Sequence, residues 1–381
     1  MREVLDNPSI YSKIDRNDMY SKIFNMPNDI EYVIRVMERF EVPRSITIGG
    51  REIEYERPDN IVLCGMGGSA IGGFILKDIL WDLIDIPVEV VREYTPPNYV
   101  DERSLVILVS YSGNTEETLN CLLHSLKSGA MLFAITSDGI LMKIAQRLSI
   151  PYYKVPKGYP PRAAIIHLTL PALYIVSKLL NTSTHLEKIE DVVELLKELR
   201  RSIAKEVPLE ENIAKVNAVK LMDVIPIVYS YRPYRSIGYR FKTQLNENCK
   251  IHAFFEELPE MNHNGIMGWS PDVKYLKELF KVVLVRGRLE SVEMYHRIAF
   301  LEELLKELDI EYINIRSSSS FLLGEVFELV MLLDMITYYL SVIRKVDPTP
   351  VFTIEKLKKY LQEKVCTSSK IQAELKSFLP L

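Results

Sequence analysis

The sequence predicts an α/β fold of two units in tandem, each a parallel sheet covered by helices on both faces. Three observations carry that expectation. Short runs rich in Val, Ile and Leu alternate with helical segments from residue 61 onward. Those runs are continuously apolar, the pattern of strands buried on both faces. The alternation then starts again near residue 225, beyond a charged, Leu-spaced stretch at 186–201 that reads as a solvated helix and linker.

In order, residues 1–43 read as helices, with an amphipathic run at 29–40. Residues 45–55 read as a small hairpin turning at Gly49-Gly50. Strands follow at 61–63, 87–91, 105–109, 131–135 and 151–155, with a helix through 79 and others at 115–128 and 141–148. The most apolar helical stretch, 163–180, contains His167, Pro171 and Lys178, which fits a buried core helix and not a membrane span. The second series has strands at 225–231, 251–255, 281–285 and 312–315, with helices between them. A long buried helix at 324–342, a helix near 353–364 and a tail complete the chain. The domain boundary is set at residue 200, giving 1–200 and 201–381.

Composition narrows the function classes. A chain of 381 residues is too long for one typical core. Its 47 basic and 51 acidic residues give a net charge of −4, so neither nucleic acid nor an anionic membrane is an expected partner. Cys64, Cys121, Cys249 and Cys366 form no CxxC pair, which fits a reducing cytosol. The N-terminus has no apolar signal-peptide core, so a cytoplasmic location is expected. The six histidines show no HxH or HExxH spacing, so no metal site is expected.

Two loops carry the chemistry. Gly65-Met66-Gly67-Gly68-Ser69-Ala70 follows a strand and opens a helix. Glycines there let the backbone approach an anion, and the helix start supplies N–H donors and a favourable dipole. A tight turn is the plainer reading. Gly65-x-Gly67-x-x-Ala70 also fits the dinucleotide fingerprint, with Glu93 as its ribose-binding acid. The second loop, from Ser110 through Thr118, follows the third strand and opens the next helix. Three hydroxyls, on Ser110, Ser112 and Thr115, can donate to a phosphate monoester without burying extra positive charge. N-capping by Ser112 or Thr115 is the competing account, but it does not need all three. A dinucleotide site does not need this loop at all. Thr136-Ser137-Asp138-Gly139 reads as a structural turn with a cap.

These loops resemble the signature loops of sugar isomerase (SIS) domains. Pro161-Arg162-Ala163-Ala164, Asn246-Glu247-Asn248-Cys249-Lys250 and Met261-Asn262-His263-Asn264 narrow the resemblance to the bifunctional phosphoglucose/phosphomannose isomerases. It spans residues 60 to 360, and the Asn-Glu-Asn and His-Asn segments are its most specific parts. The resemblance implies two tandem SIS domains, each a five-stranded parallel sheet, doubly wound in the Rossmann-like or flavodoxin-like manner. It implies aldose–ketose isomerisation of glucose or mannose 6-phosphate to fructose 6-phosphate without cofactor.

It also assigns roles. Glu247 is the base that moves a proton between C1 and C2, and His263 opens the sugar ring. Lys358 assists ring opening, with Lys356 and Lys359 as rivals on the same segment. Arg162 stabilises the enediolate. Gly67, Gly68, Ser69, Ser110, Ser112 and Thr115 hold the phosphate beside Pro161, and Thr349 lines the pocket near C2. The family also implies a homodimer in which His263 reaches across from the partner. From the residues alone, Glu247 reads equally as a surface helix position, and His263 as an exposed histidine. Gly265 and Met267 stand where relatives often carry an acidic group, which bears on substrate range. Two other functions are weighed: an amino-sugar phosphate isomerase of the same superfamily, and a non-catalytic sugar-phosphate sensor. For the sensor, residues 1–43 show no basic recognition helix.

Overall fold

The computed structural model describes the chain except for residues 271–275, 366, 377 and 379–381, so Cys366 lies outside the described residues. Four helices open it: α1 (Arg2–Leu5), α2 (Pro8–Ile14), α3 (Met19–Phe24) and α4 (Met26–Glu38). The hairpin β1 (Ser45–Ile48) and β2 (Arg51–Glu54) turns at the two glycines. The first series is β3 (Asn60–Cys64), α5 (Gly68–Leu80), β4 (Val88–Val91), β5 (Ser104–Val109), α6 (Glu116–Ser128), β6 (Met131–Thr136), α7 (Gly139–Arg147), β7 (Tyr152–Lys154) and α8 (Ile165–Leu180). After α9 (Ile189–Ser202) and α10 (Ile213–Lys220) come β8 (Ile225–Tyr231), α11 (Arg235–Cys249), β9 (Phe254–Leu258), α12 (Leu276–Leu279), β10 (Phe280–Arg286), α13 (Val292–Glu307), β11 (Tyr312–Arg316) and α14 (Leu322–Ile343). The chain closes with α15 (Phe352–Lys364) and α16 (Thr367–Lys376), so part of the expected tail is a helix.

Contacts divide the chain into two units, and not at residue 200. One unit is Asp29–Glu187 with Val351–Leu381; the other is Met1–Asn28 with Lys188–Pro350. The second unit gathers its distant pieces around α14, whose apolar surface is buried all round and packs against α9, α10 and α3. Lys215 then ties the N-terminus in. Its fully buried ammonium donates to the carbonyls of Leu5 (2.8 Å), Lys205 (2.9 Å) and Val207 (2.7 Å) and to Asp6 Oδ1 (3.1 Å).

In the first unit the sheet is wholly parallel in the order β4-β3-β5-β6-β7. Every residue of β5 and β6 is buried, as their continuous apolar runs require. The chain steps from β3 to β4 on one side and reaches β5 on the other. The loops after β3 and β5 therefore meet at a topological switch point, where open α/β sheets bind ligands.

The second unit repeats the order as β9-β8-β10-β11, again parallel, but with four strands where five are expected. After β11 the chain passes directly into α14, and no fifth strand is found among the described residues. Strand β9 also starts later than the expected 251. Ile251 N donates to Leu245 O, and Asn246 Nδ2 donates to Ile251 O at 2.8 Å, so residue 251 belongs to the end of α11.

Pro161–Leu180 and Leu322–Ile343 have the length and hydropathy to cross a membrane, but 83% and 100% of their apolar windows are buried inside the protein. They are core helices.

Candidate active site

At the switch point of the first unit the two loops are joined by their own hydrogen bonds. Tyr111 N donates to Ser69 Oγ at 3.4 Å. The hydroxyls of Ser110 and Thr115 lie 2.9 Å apart, and Ser110 Oγ also accepts from Gly113 N at 3.1 Å. Ser112 Oγ accepts from Asn114 N at 3.3 Å. The capping account fails here: Thr115 stands at the N-cap of α6 without accepting from its amides, and Gly67 begins α5 with no side chain to cap it. Ser69 and Ser110 are buried, whereas Gly67 and Ser112 are exposed. The result is a cluster of hydroxyls beside two helix starts that lack a side-chain cap, an arrangement suited to a phosphate dianion.

The third turn braces the second loop. Asp138 caps α7 by accepting from Gly139 N, as the sequence suggests. Ser137 donates to Tyr111 O from both its N (3.0 Å) and its Oγ (2.6 Å). Gly113 has φ +68, and a Cβ there would stand 1.8 Å from Asp138 O, so only glycine fits.

Pro161 and Arg162 begin a short 3-10 turn leading into α8. A Cβ at Gly68 would lie 2.8 Å from Arg162 N and 2.9 Å from its Cα. Gly68 is therefore glycine because the backbone of Arg162 rests on it. The Arg162 side chain is buried while Pro161 is exposed. Lys356, Lys358 and Lys359 are all exposed on α15, which buries none of its residues, so the geometry does not choose among them.

The second unit holds the other candidates at its two opposite edges. Glu247 is half-buried in the last turn of α11. That helix is fixed by a polar seam against α14: Arg240 and Gln244 donate to Asp334 at 2.5 and 2.9 Å, and Asn248 Nδ2 donates to Thr337 Oγ1 at 2.9 Å. Lys250, in the left-handed cap position, donates to Glu247 O and to Pro348 O, which brings the Thr349 segment beside Glu247. Both lie at the amino edge of the sheet, since α11 and α14 start at its carboxyl edge and run back. His263 is exposed in the turn after β9, at the carboxyl edge. Helix α11 has 15 residues, so these edges stand about 22 Å apart.

The chain is similar to known proteins over most of its length. Residues 210–361 match the family described as the bacterial phospho-glucose isomerase C-terminal SIS domain. A bifunctional phosphoglucose/phosphomannose isomerase of Caldicellulosiruptor bescii is 34% identical over 346 residues, covering 91% of this chain and 99% of that one. The chain belongs to the bifunctional phosphoglucose/phosphomannose isomerase family. A D-glucosamine-6-phosphate 4-epimerase of Sulfolobus acidocaldarius is also 34% identical, over 56% of this chain and 64% of its own. The fold matches the crystal structure of a hypothetical protein of Thermus thermophilus, with TM-score 0.70, 18% identity and coverage of 94% and 93%.

Some residues around this family's loops escape a sequence reading. Tyr111, between two of the candidate serines, accepts from Tyr159 N. Tyr159 donates to Asp29, which lies beside His167. Lys250 is visible in its motif but not as the tie to residue 348. Their signals are tertiary and leave no spacing in the chain.

Proposed function

We propose that this member of the family interconverts glucose 6-phosphate and mannose 6-phosphate with fructose 6-phosphate through a cis-enediolate, in the cytoplasm and without a cofactor. Aldose–ketose isomerisation as the reaction class follows from family membership. The observation that carries the rest is the hydroxyl cluster beside two helix starts without side-chain caps at the switch point of the first sheet.

In this reading Gly67, Gly68, Ser69, Ser110, Ser112 and Thr115 bind the phosphate, with Pro161 at the rim. His263 and Lys358 open the ring by moving a proton to the ring oxygen and from the C1 hydroxyl. Glu247 then takes the C2 proton of the aldose and returns it at C1. Arg162 stabilises the negative oxygen that forms between these steps. Glucose and mannose phosphates differ only at C2, and that stereocentre is lost in the enediolate. One base therefore serves both epimers if the pocket near Thr349 admits both.

Glu247 and His263 act on one sugar, yet they lie at opposite edges of one unit. This supports a homodimer in which His263 comes from a second copy.

The test is turnover in EDTA-treated buffer, with each aldose phosphate offered separately and fructose 6-phosphate followed. Turnover of both is expected. The likeness to the epimerase favours glucosamine 6-phosphate as the alternative substrate. Conversion of that sugar with neither hexose phosphate turned over would replace this reading.

A further inference from the structure

Between β7 and the 3-10 turn at Pro161–Ala164 the chain forms a strap that touches both phosphate loops of the first unit. Five contacts hold it. Lys157 pairs with Asp138 of the third turn. The Tyr111 hydroxyl accepts from Tyr159 N at 2.8 Å and donates to Pro156 O at 3.2 Å. Tyr159 OH donates to Asp29 Oδ1 at 2.7 Å. At the far end the backbone of Arg162 lies on Gly68.

The Asp29 anchor is itself built in. Asp29 is buried, and His167 Nε2 stands 3.4 Å from the same carboxylate oxygen. His167 Nδ1 is 2.8 Å from Tyr153 OH, and both of those side chains are 1% exposed. Tyr32 and Tyr159 present ring edges to the imidazole. A strap needing only apolar packing would not bury a carboxylate, an imidazole and two phenols together, because each unpaired polar group costs desolvation. Burial, then the nearby Asp29 charge, raises the pKa of Tyr159 well above the ordinary phenol value, so it remains a donor.

We propose that Tyr111 and Tyr159 are positioning residues for the isomerisation: the Tyr111 hydroxyl pins the strap to the second loop, the Tyr159 hydroxyl pins it to Asp29 of α4, and together they hold Arg162 against the first loop. The proposal rests on the reading of Arg162 as the group that stabilises the enediolate. Neither tyrosine touches the reacting atoms. Both act through residue 162.

The experiment compares Tyr111→Phe and Tyr159→Phe, each alone and combined with Arg162→Lys, by kcat and KM on the hexose phosphates. Each phenylalanine variant should lower kcat about tenfold, since sub-ångström misplacement is costly in catalysis. KM should change by less than about threefold, because the hydroxyls of Ser69, Ser110 and Thr115 are untouched. In the Arg162→Lys background the same changes should cost under about threefold, the non-additivity of groups acting through one another. Losses that multiply in full with an impaired Arg162→Lys, or an unchanged kcat in both single variants, overturn the positioning role. An Arg162→Lys enzyme with full kcat instead removes the reading of Arg162, and this proposal with it.

Discussion

The two sheets share one winding order yet treat the loops at their carboxyl edges in opposite ways. In the first unit the hydroxyls of Ser69, Ser110, Ser112 and Thr115 meet only backbone amides or one another. In the second unit the loops at this edge, after β8, β10 and β11, take up the protein's own carboxylates. Glu328 accepts from Ser317 Oγ, from Ser318 N (2.9 Å) and Oγ (2.6 Å), and from Ser319 N (3.1 Å). Glu290 takes a fork from Arg286, at 3.0 and 2.6 Å, and a bond from Tyr231 OH at 2.7 Å. Glu325 accepts from Tyr234 OH and Arg288 N. The same edge thus carries a cluster of hydroxyls without a carboxylate in one unit and a closed internal network in the other. What the second unit offers at its amino edge is Glu247.

The comparison breaks most sharply at Glu247. Glu247→Gln keeps the shape and removes the base, so kcat should fall at least about 10³-fold, within the range for losing a general base. Binding of fructose 6-phosphate, followed by calorimetry, should stay within about threefold, because the loops proposed to bind the phosphate do not include residue 247. A variant with near-normal kcat would show that the second unit contributes structure alone.

Glu328→Ala probes the closed network. It strands donors on Ser317 and Ser319, which are buried and worth about 1–3 kcal/mol each, and on Ser318, which is exposed. Stability to urea should drop by about 3 kcal/mol in total, since waters recover part of the loss, with KM unchanged. If phosphate binding to the variant restores the urea midpoint, the second unit retains a latent anion cradle that Glu328 occupies.

Ser110→Ala is the reciprocal change in the open loop. It removes the partner of Thr115 Oγ1 and the acceptor of Gly113 N. KM for the hexose phosphates should rise about tenfold, the loss of one charge-assisted hydrogen bond. Stability should change by less than about 1 kcal/mol. A large stability loss with unaltered KM would make Ser110 a structural residue like Ser318.

The difference between the units explains what the sequence discloses. The first sheet is legible because β5 and β6 are apolar without interruption, and the group of hydroxyls because Gly and Ser cluster where helices begin. Whether Thr115 caps or binds is not legible, since both uses place a hydroxyl at the same position. In the structure its hydroxyl makes no cap hydrogen bond and meets Ser110 instead. The fifth strand of the second sheet was expected from the resemblance to SIS domains, while the residues themselves offered only four apolar runs. The strap is invisible in the chain because Tyr159 and Asp29 are 130 residues apart. The N-terminal helices join the second unit through Lys215, a lysine that composition marks as solvent-facing.

The smallest expected effect tests whether the closed network holds a charge. Burial raises the Glu325 carboxyl above its ordinary 4.5, against hydrogen bonds that lower it. The folded state therefore holds this proton more tightly than the unfolded chain does. That contribution is fully present below the ordinary value and is lost as pH rises through the raised one. Glu325→Gln lacks the titration. Between about pH 5 and about pH 8 the wild type should lose stability relative to the variant, by less than about 1 kcal/mol after solvent and hydrogen-bond compensation. Urea midpoints of both proteins across that range measure the gap. A gap that moves toward the wild type on raising the pH would mean that Tyr234 and Arg288 N stabilise a carboxylate ion at Glu325. The second unit would then carry a resident anion where the first awaits one.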